Sequence, residues 1–120
     1  LTFKSVVNIT QNMIVADHAV MAVDFSSRLI GLMFRASLPE GQGLWIEPCA
    51  DIHSCFMRFH FDAIFISKDL KIVALEKDVA PWKLIWTKKG ARSVLELPSG
   101  TINKTQCQVG DQLAWQATEA

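Results

Sequence analysis

From Gly41 onward the chain is a succession of short strand-like runs separated by turn residues, and this rhythm most constrains what it can fold into. Gly41 and Gly43 flank a turn, and Leu44 to Ile46 reads as a short strand ended by Glu47-Pro48. Ile52 to Phe59 and Phe61 to Ile66 read as further strands, with Lys68-Asp69 turning the chain into Lys71 to Lys77. Val79 to Trp86 contains Pro81 and two tryptophans, which suits an edge or irregular segment. Ser93 to Leu97 is strand-like, Pro98-Ser99-Gly100 is a turn, and Gly110-Asp111 introduces a last strand, Gln112 to Gln116. Upstream, Phe3 to Thr10 and Met13 to Phe25 are rich in Val, Ile and Ala, and Thr10-Gln11-Asn12 between them suggests a hairpin or close meander.

One stretch changes period. Phe25, Leu29, Leu32, Met33 and Ala36 form an apolar helical stripe, capped by Asp24, Ser26 or Ser27 and stopped by Pro39. The fold class that follows is mainly β: a compact β-sandwich or barrel-like domain with one short α-helix at about residues 26–36. At 120 residues, with no linker or repeat, the chain is one domain and can bury a sufficient core without a disulfide or metal. Half the residues are hydrophobic, which excludes intrinsic disorder. Twelve Lys and Arg balance twelve Asp and Glu, so nothing in the total draws the chain to nucleic acid or a membrane. No apolar run is long enough for a membrane helix. The expectation is a cytoplasmic protein, with export before trimming left open because Leu1 is not an initiator Met. Oligomeric state is not legible.

Chemistry concentrates between Cys49 and Asp62. If Ile52 to Phe59 is extended, His53, Cys55, Met57 and Phe59 share one face, and His53 and Cys55 stand about 7 Å apart. Asp62 opens the apolar run Ala63-Ile64-Phe65-Ile66. A carboxylate buried there needs a partner: Arg35, Arg58, or backbone N–H groups. Glu96, in Leu95-Glu96-Leu97, either alternates outward or becomes a second inward carboxylate beside Asp62, where the two could split their pKa values and do acid–base work. Cys49-x3-His53-x-Cys55 carries metal-competent residue types, but there is no CxxC pair and Cys55 lies among apolar neighbours, so no metal or cofactor is expected. The three cysteines are expected to be reduced, mostly buried thiols, although a Cys49–Cys55 bridge fits the spacing. His60, at a strand junction, is expected at the surface. Trp82 and Trp86 are expected to pack on the core, with a groove lining as the alternative.

These motifs, taken in order, resemble the domain of unknown function 192 family over about residues 24–113. Arg28-Leu-Ile-Gly-Leu-Met-Phe-Arg35 is similar to its helix segment, and Leu38-Pro-Glu-Gly-Gln-Gly-Leu-Trp45 to its glycine turn. Pro48-Cys49, Ile52-His53-Ser54 and Met57-Arg58-Phe59 followed by Asp62 and Phe65 resemble its central signature. Val79-Ala-Pro-Trp82, Val94-Leu-Glu-Leu-Pro-Ser-Gly100 and Val109-Gly-Asp111 complete the order. His60 stands where family members usually carry proline, and Cys55-Phe56 departs from a commoner pair. The resemblance implies a sandwich-like β fold and a shared pocket at His53, Arg58, Asp62 and Glu96, without naming a reaction. The expected function is a small binding module for a small polar or sugar-like ligand, held by Arg35, His53, Arg58, Asp62 and Glu96 with Trp82 or Trp45 as an apolar wall. The rivals are a hydrolase using Asp62 or Glu96 with His53, and a purely structural or interaction domain.

Overall fold

In the computed structural model the described residues are 3–22, 38–48, 52–53, 59–86 and 88–117. Among the described residues nine strands and one short helix follow in order: β1 Phe3–Asn8, β2 Met13–Ala22, β3 Gln42–Ile46, β4 Ile52–His53, β5 Phe61–Ile66, β6 Ile72–Val79, β7 Leu84–Ile85, β8 Ser93–Pro98, α1 Thr101–Lys104 and β9 Leu113–Ala117. The helix expected at 26–36 lies outside the described residues, as does most of the strand expected from Ile52 to Phe59. The turn expected at Thr10-Gln11-Asn12 does join β1 to β2 as an antiparallel hairpin, with Asn8 opposite Met13.

Seven strands make one sheet in the order β6-β5-β8-β3-β2-β1-β9, antiparallel throughout except for β2 beside β3. The sheet curls far enough for its two edges to meet at one end. Lys71 bridges Gln112, Ile72 N–H donates to Asp111 O (2.9 Å), and Leu113 N–H donates to Leu70 O (2.8 Å). The result is a half-closed barrel. Inside the curl lie Val6, Val15, Trp45, Ile64, Ile66, Ile72, Leu95, Leu97, Cys107 and Leu113, with Ile102 of α1 among them. Residues from both edge strands, Ile72 and Leu113, share this cluster because the curl brings them together.

The outer face of β3, β5 and β8 is apolar too. Leu44, Ile46, Phe61, Ala63, Phe65 and Val94 form a second cluster with Leu38 and Val79, and Ile85 of β7 packs against it. This explains why β5 and β8 read as continuous rather than alternating runs: both of their faces are covered. β4 and β7 pair antiparallel as a separate two-stranded ribbon, Ile52 opposite Ile85 and His53 opposite Leu84. Gly43 has a packing reason of its own. A Cβ there would sit 3.1 Å from both Leu95 Cδ1 and Leu97 Cδ2, so those side chains occupy the space that a larger residue would need.

Candidate functional site

Asp62 is 1% exposed near the start of β5, and both of its oxygens are satisfied by backbone. Oδ1 accepts the Asp78 N–H (2.9 Å) and Oδ2 accepts the Ile102 N–H (2.8 Å). Ile102 lies in the first turn of α1, where N–H groups have no partner within the helix. Asp78 closes β6 in the left-handed region (φ 52°). One carboxylate therefore ties the end of β6 and the start of α1 to β5. Of the partners foreseen for Asp62, backbone N–H groups supply both bonds. Arg35 and Arg58 lie outside the described residues.

Glu96 is a different case. It stands on β8 between Leu44 of β3 and Ala63 of β5, and it is 4% exposed. Its neighbours in strand order place it on the outer face with Val94, Ala63 and Phe65, against the second apolar cluster. Among the described residues Oε2 has no hydrogen-bond partner. Burial in these surroundings pushes the carboxyl up to about 8, so at neutral pH the group is mainly a protonated acid.

The registers also decide between the two placements foreseen for Glu96: it points outward, although covered, and not inward beside Asp62. Asp62 is opposite Leu97, and Glu96 is opposite Ala63. Successive residues of a strand point to opposite faces, so Asp62 faces the inside of the curl and Glu96 the outside. The sheet separates the two carboxyls, and they cannot share a proton or work as an acid–base pair. The hydrolase alternative loses its paired carboxylates; its other form, Asp62 or Glu96 acting with His53, involves a side chain outside the described residues. Trp45 is likewise no wall for Glu96. It is 1% exposed inside the curl, its ring 4.0 Å from that of Trp115.

The backbone of His53 lies in β4 opposite Leu84 of β7; its side chain, like Arg35 and Arg58, is outside the described residues. Trp82 and Trp86 correct the expectation of core packing: they are 64% and 69% exposed. Pro81 and Trp82 form a turn that leads into β7, and Trp82 takes a left-handed backbone (φ 64°). His60 is exposed, as expected, and its Nδ1 meets Asp78 Oδ1 at 3.1 Å. Ser99 Oγ donates to the same oxygen at 2.6 Å. The Ser99 hydrogen bond leads in holding the Asp78 carboxyl below its usual range, with His60 adding to it. A cleft of about 540 Å³ opens between Pro48, the Ser67–Asp69 turn and Gly90–Arg92, and of the expected site residues that are described, Asp62, Glu96 and Trp82 stand outside its lining.

Two polar clusters escaped the sequence reading. Glu47 Oε1 accepts from Arg92 Nε (3.2 Å) and Ser93 Oγ (2.9 Å), pinning the start of β8 to the end of β3. Asp111 Oδ2 accepts from Asn8 Nδ2 (2.9 Å), Gln11 Nε2 (3.1 Å) and the Gln108 N–H (2.9 Å). Burial acts against the charged form of Asp111, but these three bonds outweigh it and hold the carboxyl below its usual range. Asn8 Nδ2 also approaches Cys107 Sγ (3.5 Å), and Cys107 is a buried free thiol. Gly110-Asp111 announced a turn in the sequence, but Asn8 is about a hundred residues away, so nothing local could have named it. Among the described residues no three His, Cys, Asp or Glu side chains gather to hold a metal ion. No helix among them is long and apolar enough to cross a membrane.

Comparison with known proteins agrees with this architecture. A UPF0127 protein of Pyrococcus furiosus is 31% identical over 113 residues, covering 90% of this chain and 95% of the relative. A UPF0127 protein of Pyrococcus horikoshii is 29% identical, covering 92% and 97%. A crystal structure of a protein of unknown function from Novosphingobium aromaticivorans superposes with a TM-score of 0.81 at 20% identity, covering 94% of this chain and 84% of that one. A second, from Sinorhizobium meliloti, gives 0.83 at 22% identity, covering 96% of each. The family model DUF192, described as "Uncharacterized ACR", matches residues 6–115, and the chain belongs to that family.

Proposed function

We propose that this domain is a small-molecule binding module in which Glu96 is the anchoring group. The observation that carries the reading is the Glu96 carboxyl: buried, on the outer face of the sheet, with Oε2 lacking a partner. Buried polar atoms are almost always hydrogen-bonded, so an orphan within an apolar cluster marks a place where another molecule can complete the count. A protonated carboxyl donates one hydrogen bond and accepts others, which suits a neutral hydroxyl or amide rather than an anion. Sugars and other small polyhydroxylated molecules are the ligand class of choice. Arg35, His53 and Arg58, from the segments that carry the family signature, are the side chains proposed to complete the site. Trp82 supplies an apolar ring nearby in the chain. Asp62 belongs to the frame, since both of its oxygens are already used by backbone.

Thermal unfolding against a panel of sugars, nucleosides, amino acids and inorganic anions tests this. A ligand present at a hundred times its dissociation constant adds about 2.7 kcal/mol, a shift of several degrees for a domain of this size. Neutral polyols should raise Tm in the wild type and fail to do so in Glu96→Leu. The same silence in both proteins across the panel, with Glu96→Leu simply more stable, would make Glu96 a buried structural acid and end the reading.

A further inference from the structure

Segment 80–92 crosses from β6 to β8 and carries β7. Within it Trp82, Leu84 and Trp86 are 64%, 55% and 69% exposed. Three large apolar side chains in five residues form a projecting apolar surface, and Trp82 takes a left-handed backbone that a bulky residue adopts only under strain. Glycine would sit at that position without strain, yet a tryptophan is there, turned out to solvent. The same segment holds Lys83, Lys88, Lys89 and Arg92 and not one acidic residue. Two of these cations hold the segment in place: Lys88 Nζ meets Glu76 Oε1 at 2.7 Å, and Arg92 Nε meets Glu47 Oε1 at 3.2 Å. Lys89 is exposed and has no ion-pair partner among the described residues, and Lys83 is exposed between Trp82 and Leu84. The ribbon is thus fixed to the barrel at its base and presents exposed apolar side chains with Lys89 as the exposed cation beside them.

We infer that the Trp82–Lys89 ribbon is a docking element for an anionic phospholipid surface. Indole rings favour the headgroup level of a bilayer, where their apolar faces and N–H groups are both accommodated. Leu84 between them reaches into the acyl boundary, and lysines on either side meet anionic headgroups while their stems stay apolar. Leu84 distinguishes this occupant from a saccharide, which would stack on the rings but gain nothing from an aliphatic tip. A second copy of the chain is disfavoured by charge, because it would bring Lys83 and Lys89 against their own equivalents. The neutral total charge speaks only to the molecule as a whole; the ribbon concentrates cations locally, beside the residues that would insert.

The inference shares Trp82 with the ligand site proposed above but makes no use of Glu96. Tryptophan fluorescence and co-sedimentation with vesicles of phosphatidylcholine, with and without phosphatidylglycerol, read it directly. Trp45 is buried and Trp115 is half-buried against it, so a blue shift that is lost in the Trp82 and Trp86 variants reports the exposed rings. The expected result is sedimentation and a blue shift with anionic vesicles only, weakening as salt is raised. Trp82→Gly and Trp86→Ser, each checked by thermal unfolding to be folded, are each expected to weaken binding about tenfold or more. Glu96→Gln should bind vesicles as the wild type does, which separates this outcome from any failure of ligand binding. Absence of sedimentation at low salt would overturn the inference. So would a blue shift with soluble polyglutamate and none with vesicles, which would assign the ribbon to an acidic protein partner.

Discussion

Asp62 and Glu96 are both acids in fully apolar runs, and what separates them is one step in strand register. Asp62 has two backbone donors, so its removal leaves two buried N–H groups unpaired. Asp62→Ala should destabilise the domain by about 3 kcal/mol in urea unfolding, with α1 and the end of β6 losing amide-exchange protection first. Glu96 behaves in the opposite sense. Its folded pKa, about 8, is above the usual glutamate value of 4.5, so between those values the native state holds a proton that the unfolded state releases. Stability is therefore full below pH 4.5, falls as pH rises toward 8, and levels off above it, with a total loss on the order of 5 kcal/mol. Glu96→Gln should flatten that decline in a series of melts across pH; an equally steep fall in the variant would place the titrating group elsewhere. Asp111 gives the complementary acid limb. Its lowered pKa means stability that is present above the ordinary carboxylate range and lost as pH falls through the folded value. Asp111→Ala should therefore remove part of the stability lost on acidification and leave the Glu96 limb intact.

At the scale of elements, most strands were legible because apolar runs between turns need only local rules. Phe61–Ile66 and the hairpin around Thr10-Gln11-Asn12 are found where hydrophobicity and turn chemistry put them. What was not legible depended on partners far along the chain. Nothing near Asp62 in sequence indicates that its donors are Asp78 and Ile102, and the four-residue α1 is too short to show a helical period. The facing of Glu96 required the β5–β8 register, since a run buried on both sides has no alternation to reveal which way each residue points. Trp82 and Trp86 went astray for a related reason: two tryptophans usually mean core, and only the pairing of β7 with β4, apart from the main sheet, leaves them outside. Gly43 supplies a test of element packing. Gly43→Ala should cost about 1–3 kcal/mol, because its Cβ would press on Leu95 and Leu97 at the centre of the sheet, and the double variant with Leu95→Ala should lose less than the sum of the two single losses.

Across the whole molecule, the two edges of the sheet are joined by the contacts of residues 70–72 with residues 110–113, and β9 lies beside β1. The last strand in the chain thus completes the barrel against the first and against the far edge. That arrangement imposes an order in time. While a ribosome is still making residues 105–117, β1 has no outer partner, the start of β6 has nothing to bridge, and the interior cluster lacks Leu113. Contacts of such long sequence separation form late and slowly, so the nascent chain carries an open, sticky edge until its C-terminal strand emerges. Stalling or cleavage shortly before Leu113 would yield a product that holds most of the strands and yet cannot shut, and such a product is destined for chaperones or aggregation rather than for a partly working domain.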